Sequence, residues 1–267
     1  MIDQAKQQRI QSLWDRLADS SASNTDETLQ FLLSELTDML NAQYAFWLGA
    51  TKLVDLDNRD PAGGWRPRSL VHQRKTAERE AEGREHIRRI ESGSVDPSII
   101  ENLRHSGRFR INIQHEMVSP DWYESEFYKT LFEPRKSVDY IYGVMPISED
   151  VESWVGIERC GDNHSLFGEA ERELLAYMLR PTKWYHHQVM LHHGVWLADE
   201  PLRQSERRVL KLLLTKMTEQ EIAESLSLSP STVHTYVVRI CRKFNVRGRA
   251  GLTALWLGQM PEGFADG

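Results

Sequence analysis

Two cysteines in 267 residues, Cys160 and Cys241, are too few for a disulfide framework, and a reducing, cytoplasmic setting is expected. No apolar run approaches the roughly 18 residues that a membrane-spanning helix needs. The polar start, Met1-Ile-Asp-Gln-Ala-Lys-Gln-Gln, lacks a signal-peptide core, so no membrane association is expected. Internal repeats, low-complexity tracts and long blocks of one charge are absent as well. So are catalytic signatures: there is no P-loop, no GxSxG, no HExxH and no outstanding pair of acids. No acidic pocket of a phosphorylated receiver domain is legible. The chain reads as a non-enzyme without a cofactor.

What is present is unevenly distributed. Segment 200–260 holds ten Lys/Arg against five Asp/Glu, whereas 1–199 holds 23 against 32. An acidic front and a basic end confine phosphate-directed charge to the last quarter of the chain. The length suits two domains, one of about 60 residues and one of about 150 to 170.

Within the basic end, Thr218-Glu-Gln-Glu221 is a capping box: the hydroxyl accepts from the N–H three residues on, and the glutamate reaches back to the threonine N–H. Ile222, Ala223 and Leu226 form an apolar stripe. Ser227-Leu-Ser-Pro230 makes a turn, Ser229 can cap the next helix, and Pro230 suits its first position. That helix runs from about Pro230 to Phe244. At about 100° per residue, Val233, Val237, Ile240 and Phe244 share the buried side. Ser231, Thr235, Val238, Arg239 and Arg242 lie opposite, flanked by His234 and Tyr236. Such a face suits a major groove: arginines neutralise phosphates while shorter side chains reach base edges or thymine methyls. The bland alternative is a solvated surface helix, and the basic balance of the segment weighs against it.

These residues resemble the LuxR-type helix-turn-helix family. The match, without gaps over about 55 residues, comprises Leu202, Glu206, Val209-Leu210, Leu212-Leu213, Glu221-Ile-Ala223, Leu226, Ser229, Thr232-Val233, Thr235, Val237, Ile240, Lys243, Val246, Arg247 and Arg249. The resemblance implies an all-α four-helix domain over 201–260. Its third helix would enter the major groove of double-stranded DNA, and its fourth, around Arg249 to Gln259, would make a dimer contact. It places base reading at His234, Thr235 and Val238, within a wider DNA-binding set of Thr218, Ser231, Thr232, Tyr236, Arg239, Arg242 and Lys243. RNA polymerase and a second copy of the chain are the protein partners it implies. Departures from the pattern are Lys216 and Ser227 at glycine positions, His234 and Val238 at basic ones, Tyr236 for a histidine, and Arg203-Gln204 for Thr-Pro. If both glycine positions take left-handed backbone, each substitution costs about 1 kcal/mol. The changed reading residues leave the operator sequence open.

The front of the chain reads as mixed α and β. A helix from Gln4 to Asp19, within an N-terminal segment 1–24, places Ile10, Leu13, Trp14 and Leu17 on one stripe. A second, from Thr25 to about Asn41, turns Leu29, Leu32, Leu33, Leu36 and Leu40 inward. Strands are expected at Gln43 to Ala50, Trp65 to His72 and Arg108 to His115, with a loop over Asn58 to Gly64 and a charged surface helix over Gln73 to Ser92. Val138 to Ile147 and Ser153 to Arg159 form a hairpin around Glu149-Asp150. A long helix from Glu169 is expected to break at Pro181.

This order resembles the GAF/PAS class of sensory domains over roughly 26–190, with 25–180 as the domain itself: an α+β sensor with an antiparallel sheet and flanking helices. It is preferred to the acyl-homoserine-lactone sensor of some LuxR-type relatives, whose characteristic aromatic and aspartate set does not align here. The closing stretch Trp154-Val-Gly-Ile-Glu158, Phe167, Glu171, Leu174 and Leu175 fits the end of a GAF domain. The resemblance implies an unknown small-molecule effector. Twenty of the 24 aromatic residues fall in 1–199. Rings of this kind either fill a core or line a pocket; the pocket candidates are Tyr44, Phe46, Trp122, Phe127, Tyr140 and Tyr142.

His186-His187 and His192-His193 bring imidazoles to the last front helix, with His186 and His193 nearly on one face. Zinc wants three or four ligands, and no carboxylate or cysteine is suitably spaced in the sequence, so no metal is expected. Segment 181–200 reads as a connecting helix and linker. Leu174, Leu175, Met178, Trp184, Tyr185, Met190 and Leu191 would give the helix apolar surface to pair with a second subunit. The sequence therefore predicts a DNA-binding transcription regulator controlled by its front domain. A sigma-factor-like polymerase partner and a ligand-binding protein with an incidental basic tail remain the alternatives.

Overall fold

Asp3 starts the first helix by accepting from the Lys6 N–H at 2.8 Å. In this computed structural model the described residues are 3–53, 60–162, 165–196 and 202–257. Helices α1 (Gln4–Ala18) and α2 (Thr25–Met39) pack together, burying Ile10, Leu13 and Leu17 of the first against Leu29, Leu32, Leu33 and Leu36 of the second. Each fully buried leucine contributes about 1.5–3 kcal/mol.

Strands β1 (Tyr44–Lys52) and β2 (Trp65–His72) follow, then helices α3 (Ala77–Glu91) and α4 (Pro97–Leu103). Strand β3 (Arg110–Ile113) leads into the single turn α5 (Gln114–Met117), so the strand is shorter than the alternation over Arg108 to His115 predicts. Short helical turns occupy 120–135. The hairpin of β4 (Ser137–Ser148) and β5 (Val151–Cys160) turns at Glu149-Asp150 as expected. All five strands form one antiparallel sheet in the order β2-β1-β5-β4-β3.

The strand period of two sorts side chains between the two faces. Ala45, Trp47, Ile141, Val155 and Ile157 face a helical layer of α1, α2, α6 (Glu169–Leu179) and α7 (Lys183–His192). Two strand glycines allow close approach there: a Cβ on Gly143 would meet Leu179 at 2.4 Å, and one on Gly49 would meet Val195 at 2.9 Å. The opposite face carries Tyr44, Phe46, Tyr140, Tyr142 and Trp154, and is covered by α3, α4 and the turns that follow β3.

The chain between α6 and α7 is a short 3₁₀ turn over Arg180–Thr182, the expected break at Pro181. The apolar surface of these helices is not held out for a second subunit. Leu174, Leu175, Met178, Tyr185, Met190 and Leu191 are all buried in the domain's own core, and of that set only Trp184 is exposed. The periodicity marked the stripe correctly; the sheet and α2 cover it.

Helices α8 (Gln204–Leu213), α9 (Glu219–Leu226), α10 (Pro230–Lys243) and α11 (Gly248–Trp256) make the C-terminal domain. Thr218 and Glu221 form the expected capping box, with the Thr218 N–H donating to Glu221 Oε2 at 2.7 Å. Ser227 closes α9 in the left-handed region at φ +54, as expected of a glycine position. Lys216 has no such backbone, which corrects the expectation: the chain leaves α8 through a turn that any residue can adopt. One continuous apolar core runs from α1 through α7, Val195, Trp196 and Leu202 into α8, α10 and α11. The segment Leu197 to Pro201 and the end of the expected fourth helix, Gly258 to Met260, lie outside the described residues. No described helix is long and apolar enough to cross a membrane.

Candidate DNA interface and effector cavity

Ser229 starts α10, its hydroxyl accepting from the Thr232 N–H at 3.1 Å, and Pro230 takes the first turn. Val233, Val237, Ile240 and Phe244 are buried against α8, α9 and α11. Ser231, His234, Thr235, Val238, Arg239 and Arg242 are exposed together on the other side. Val238 is 53% exposed, an apolar side chain set among the arginines and hydroxyls of that face. His234 is held by Glu219 of α9, with Nδ1 3.1 Å from Oε2. The Thr235 hydroxyl donates back to the Ser231 carbonyl at 2.9 Å, which fixes its rotamer.

The remaining expected DNA residues divide. Thr218 sits exposed at the start of α9, and Thr232 Oγ1 lies 2.8 Å from Ser229 Oγ at the start of α10. Tyr236 is half-buried against the core. Lys243 departs from the expectation: its Nζ lies 2.9 Å from Glu206 Oε2, and its side chain is only 10% exposed. It ties α10 to α8 rather than standing on the open face.

In the front domain the sheet, α3 and α4 enclose a cavity of about 140 Å³. Four of the six expected pocket residues, Tyr44, Phe46, Tyr140 and Tyr142, line it. Trp122 and Phe127 do not; they pack in the aromatic cluster behind Tyr140 and Tyr142. Sequence reasoning missed Trp65, Trp154 and the contribution of α3, whose Gly83, Ile87 and Ile90 recur at helical spacing and turn inward. That spacing was the available signal for a helix expected to lie wholly on the surface.

The cavity lining is mainly apolar, with Arg66, His72, Arg79, Glu82, His86 and Arg135 as its basic and acidic members; the buried charges Glu152, Glu158 and Arg110 lie outside the lining. Glu152 and Glu158 of β5 are fully buried. Arg110 grips Glu152 with Nη1 and Nη2 at 2.7 and 2.8 Å. At the other end Arg135 lies 3.2 Å from Glu158 and 3.1 Å from Glu82, and Arg79 lies 3.0 Å from Glu158. Arg135 Nη2 also donates to the Tyr140 hydroxyl at 3.2 Å. Burial pushes the Tyr140 and Tyr142 phenols well above their ordinary range, so both are neutral donors. The Tyr44 hydroxyl and His72 Nδ1 share a short hydrogen bond at the cavity edge. Burial lowers the His72 pKa, which favours the neutral ring.

Four short helices, a tight turn and an exposed third helix define a helix-turn-helix domain. Residues 200–256 match the family model described as bacterial regulatory proteins, luxR family, so this part of the chain is a luxR-family domain. No curated protein matches the chain. Among the solved structures to which the chain is similar are three of low identity. SdiA in complex with octanoyl-rac-glycerol is 12% identical, with 96% of each chain covered and a TM-score of 0.47. The VqsR LBD domain from Pseudomonas aeruginosa is 15% identical, covering 70% of this chain and 98% of that one at 0.47. Escherichia coli SdiA is 13% identical, covering 96% and 99% at 0.45.

Proposed function

We propose that this protein is a transcription regulator that binds double-stranded DNA through the open face of α10, with Arg239 and Arg242 on phosphates and His234, Thr235 and Val238 on base edges. The observation that carries the reading is that face: apolar Val238 exposed between arginines and hydroxyls in a luxR-family domain. As a homodimer it would place two such helices on half-sites about 34–36 Å apart, one turn of duplex. RNA polymerase is the partner through which binding would change transcription.

The front domain acts as a GAF/PAS-class sensor whose effector is a small, mainly apolar molecule. A cavity of this size is comparable to the roughly 150 Å³ cavity that holds benzene, so a single ring or a short acyl chain fits. The paired charges of Arg79, Glu82 and Arg135 would face its polar end. Residues that alternate on β1 link the two sides: Phe46 lines the cavity, while Trp47 packs against His193, with ring centroids 4.8 Å apart and planes tilted by 38°, at the end of α7. A displaced β1 would thus be felt where α7 meets the C-terminal domain. The decisive experiment is footprinting of the full chain on genomic fragments at low salt, with sedimentation of the complex. Protected sites bound by two copies support the reading; no protection at any salt sinks it and favours a ligand-binding protein with a basic tail.

A further inference from the structure

A second site lies where the two domains meet. Asp26 in the first turn of α2 brings a carboxylate to the end of α7, far away in sequence, which corrects the expectation that no suitable carboxylate accompanies the paired histidines. Asp26 Oδ1 lies 3.4 Å from His192 Nε2 and 3.2 Å from His193 Nε2. All three ligand atoms fall within 4.8 Å of one another. His186, the other histidine of that helix face, is engaged elsewhere, with Nδ1 2.7 Å from Ser153 Oγ.

We propose that Asp26, His192 and His193 form an open site for a divalent transition metal of the zinc class. Metal bonds of about 2.0–2.1 Å in tetrahedral geometry put neighbouring ligand atoms about 3.3–3.4 Å apart, close to both carboxylate–imidazole separations. Both contacts are longer than the roughly 2.7–2.9 Å of a good charge-assisted hydrogen bond. Neither His192 nitrogen nor His193 Nε2 has a hydrogen-bond partner among the described residues, although both side chains are at least nine-tenths buried. His193 Nδ1 lies 3.3 Å from Ser69 Oγ, a partner that would orient the ring and leave Nε2 for the ion. Three protein ligands leave a fourth position for water, and the half-exposed Asp26 gives an approach from solvent.

The ion would report on domain docking. Lys211 of α8 places Nζ 2.7 Å from Asp26 Oδ2, so an ammonium already supplies the carboxylate with a positive charge from the DNA-binding domain. Trp256 of α11 packs beside His192 at 6.5 Å. A dication on Oδ1 repels that ammonium and weakens the bridge between α2 and α8. By linkage, releasing Lys211 must strengthen metal binding by the same factor.

The test is a zinc titration of the chelator-treated full chain against a competing chelator, with cobalt as a spectroscopic stand-in. One zinc per chain is expected, with affinity at least tenfold weaker in Asp26→Asn and His193→Gln and severalfold tighter in Lys211→Met. Cobalt should give the visible bands of a four-coordinate ion, lost in Asp26→Asn. Asp26 and Lys211 lie at the surface, so those two variants keep the test open if His193→Gln fails to fold. Absence of zinc binding, or affinity unchanged in Asp26→Asn and Lys211→Met, overturns the proposal and leaves the DNA-binding reading untouched.

Discussion

Lys243, at the C-terminal end of α10, donates to Glu206 on α8 at 2.9 Å, and the pair is almost wholly enclosed. Glu206 also accepts from the Arg203 N–H at 2.8 Å, so one carboxylate both starts α8 and anchors the recognition helix. Removing Glu206 takes away both a buried, charge-assisted bond to Lys243 and the bond that starts α8. Glu206→Ala should lower stability by about 3 kcal/mol, read as a shift in the urea midpoint. The Glu206 pKa is lowered: burial raises it, but the Arg203 N–H and the Lys243 ammonium outweigh that. A depressed carboxylate pKa means that this stabilisation is present above the ordinary glutamate value and is lost as pH falls through the folded one.

DNA affinity should separate Arg239 from Lys243. Arg239→Ala removes an exposed guanidinium and should reduce the salt slope of binding by about 1 on every sequence. Lys243→Ala should destabilise the domain and leave that slope unchanged. Thr235 and His234 changes should instead alter sequence preference, with a correct base contact worth about 1–3 kcal/mol. Anisotropy titrations across salt, on matched and mismatched duplexes, give all three quantities; equal slopes for Arg239→Ala and Lys243→Ala would contradict the assignment.

His186 makes stability depend on acid. Burial, with a smaller push from His187, drives its pKa down to about 3, against about 6.5 unfolded. The unfolded chain therefore binds the extra proton first, and stability is lost as pH falls from about 6.5 towards 3. The limiting slope is about 1.4 kcal/mol per pH unit. Denaturation midpoints between pH 7 and pH 5 should fall less steeply in His186→Gln than in the parent.

Ser227 holds a left-handed backbone that glycine adopts freely. Ser227→Gly should raise stability by about 1 kcal/mol. A lower melting temperature would mean that its side chain matters more than its backbone.

Filling the cavity should abolish ligand binding without opening the fold. Leu48 lines the cavity from β1, and Leu48→Trp adds a ring into that space. Benzene, followed by ligand-observed NMR, should bind the parent saturably and the variant not at all. Unchanged binding would place the probe elsewhere.

Much of this was legible because periodicity reports which side of an element is apolar. It separated Val233, Val237, Ile240 and Phe244 from Arg239 and Arg242 on α10, and it located the hairpin at Glu149-Asp150. Periodicity does not report what covers an apolar side. The stripe of Leu175, Tyr185 and Met190 is covered by the domain itself. Charge type is equally silent about pairing, so Lys243 resembled the phosphate-directed arginines until Glu206 was brought to it by the fold. Asp26 and His193 meet only through tertiary packing, which no local spacing can announce.

The apolar core that passes without interruption from α1 to α11 makes the folding unit larger than the functional one. Val195, Trp196 and Leu202 belong to neither half alone. A cut between the halves would expose them on both pieces. Either piece on its own would be stickier than the whole, and the intact chain would melt as one cooperative body while its domains stay docked.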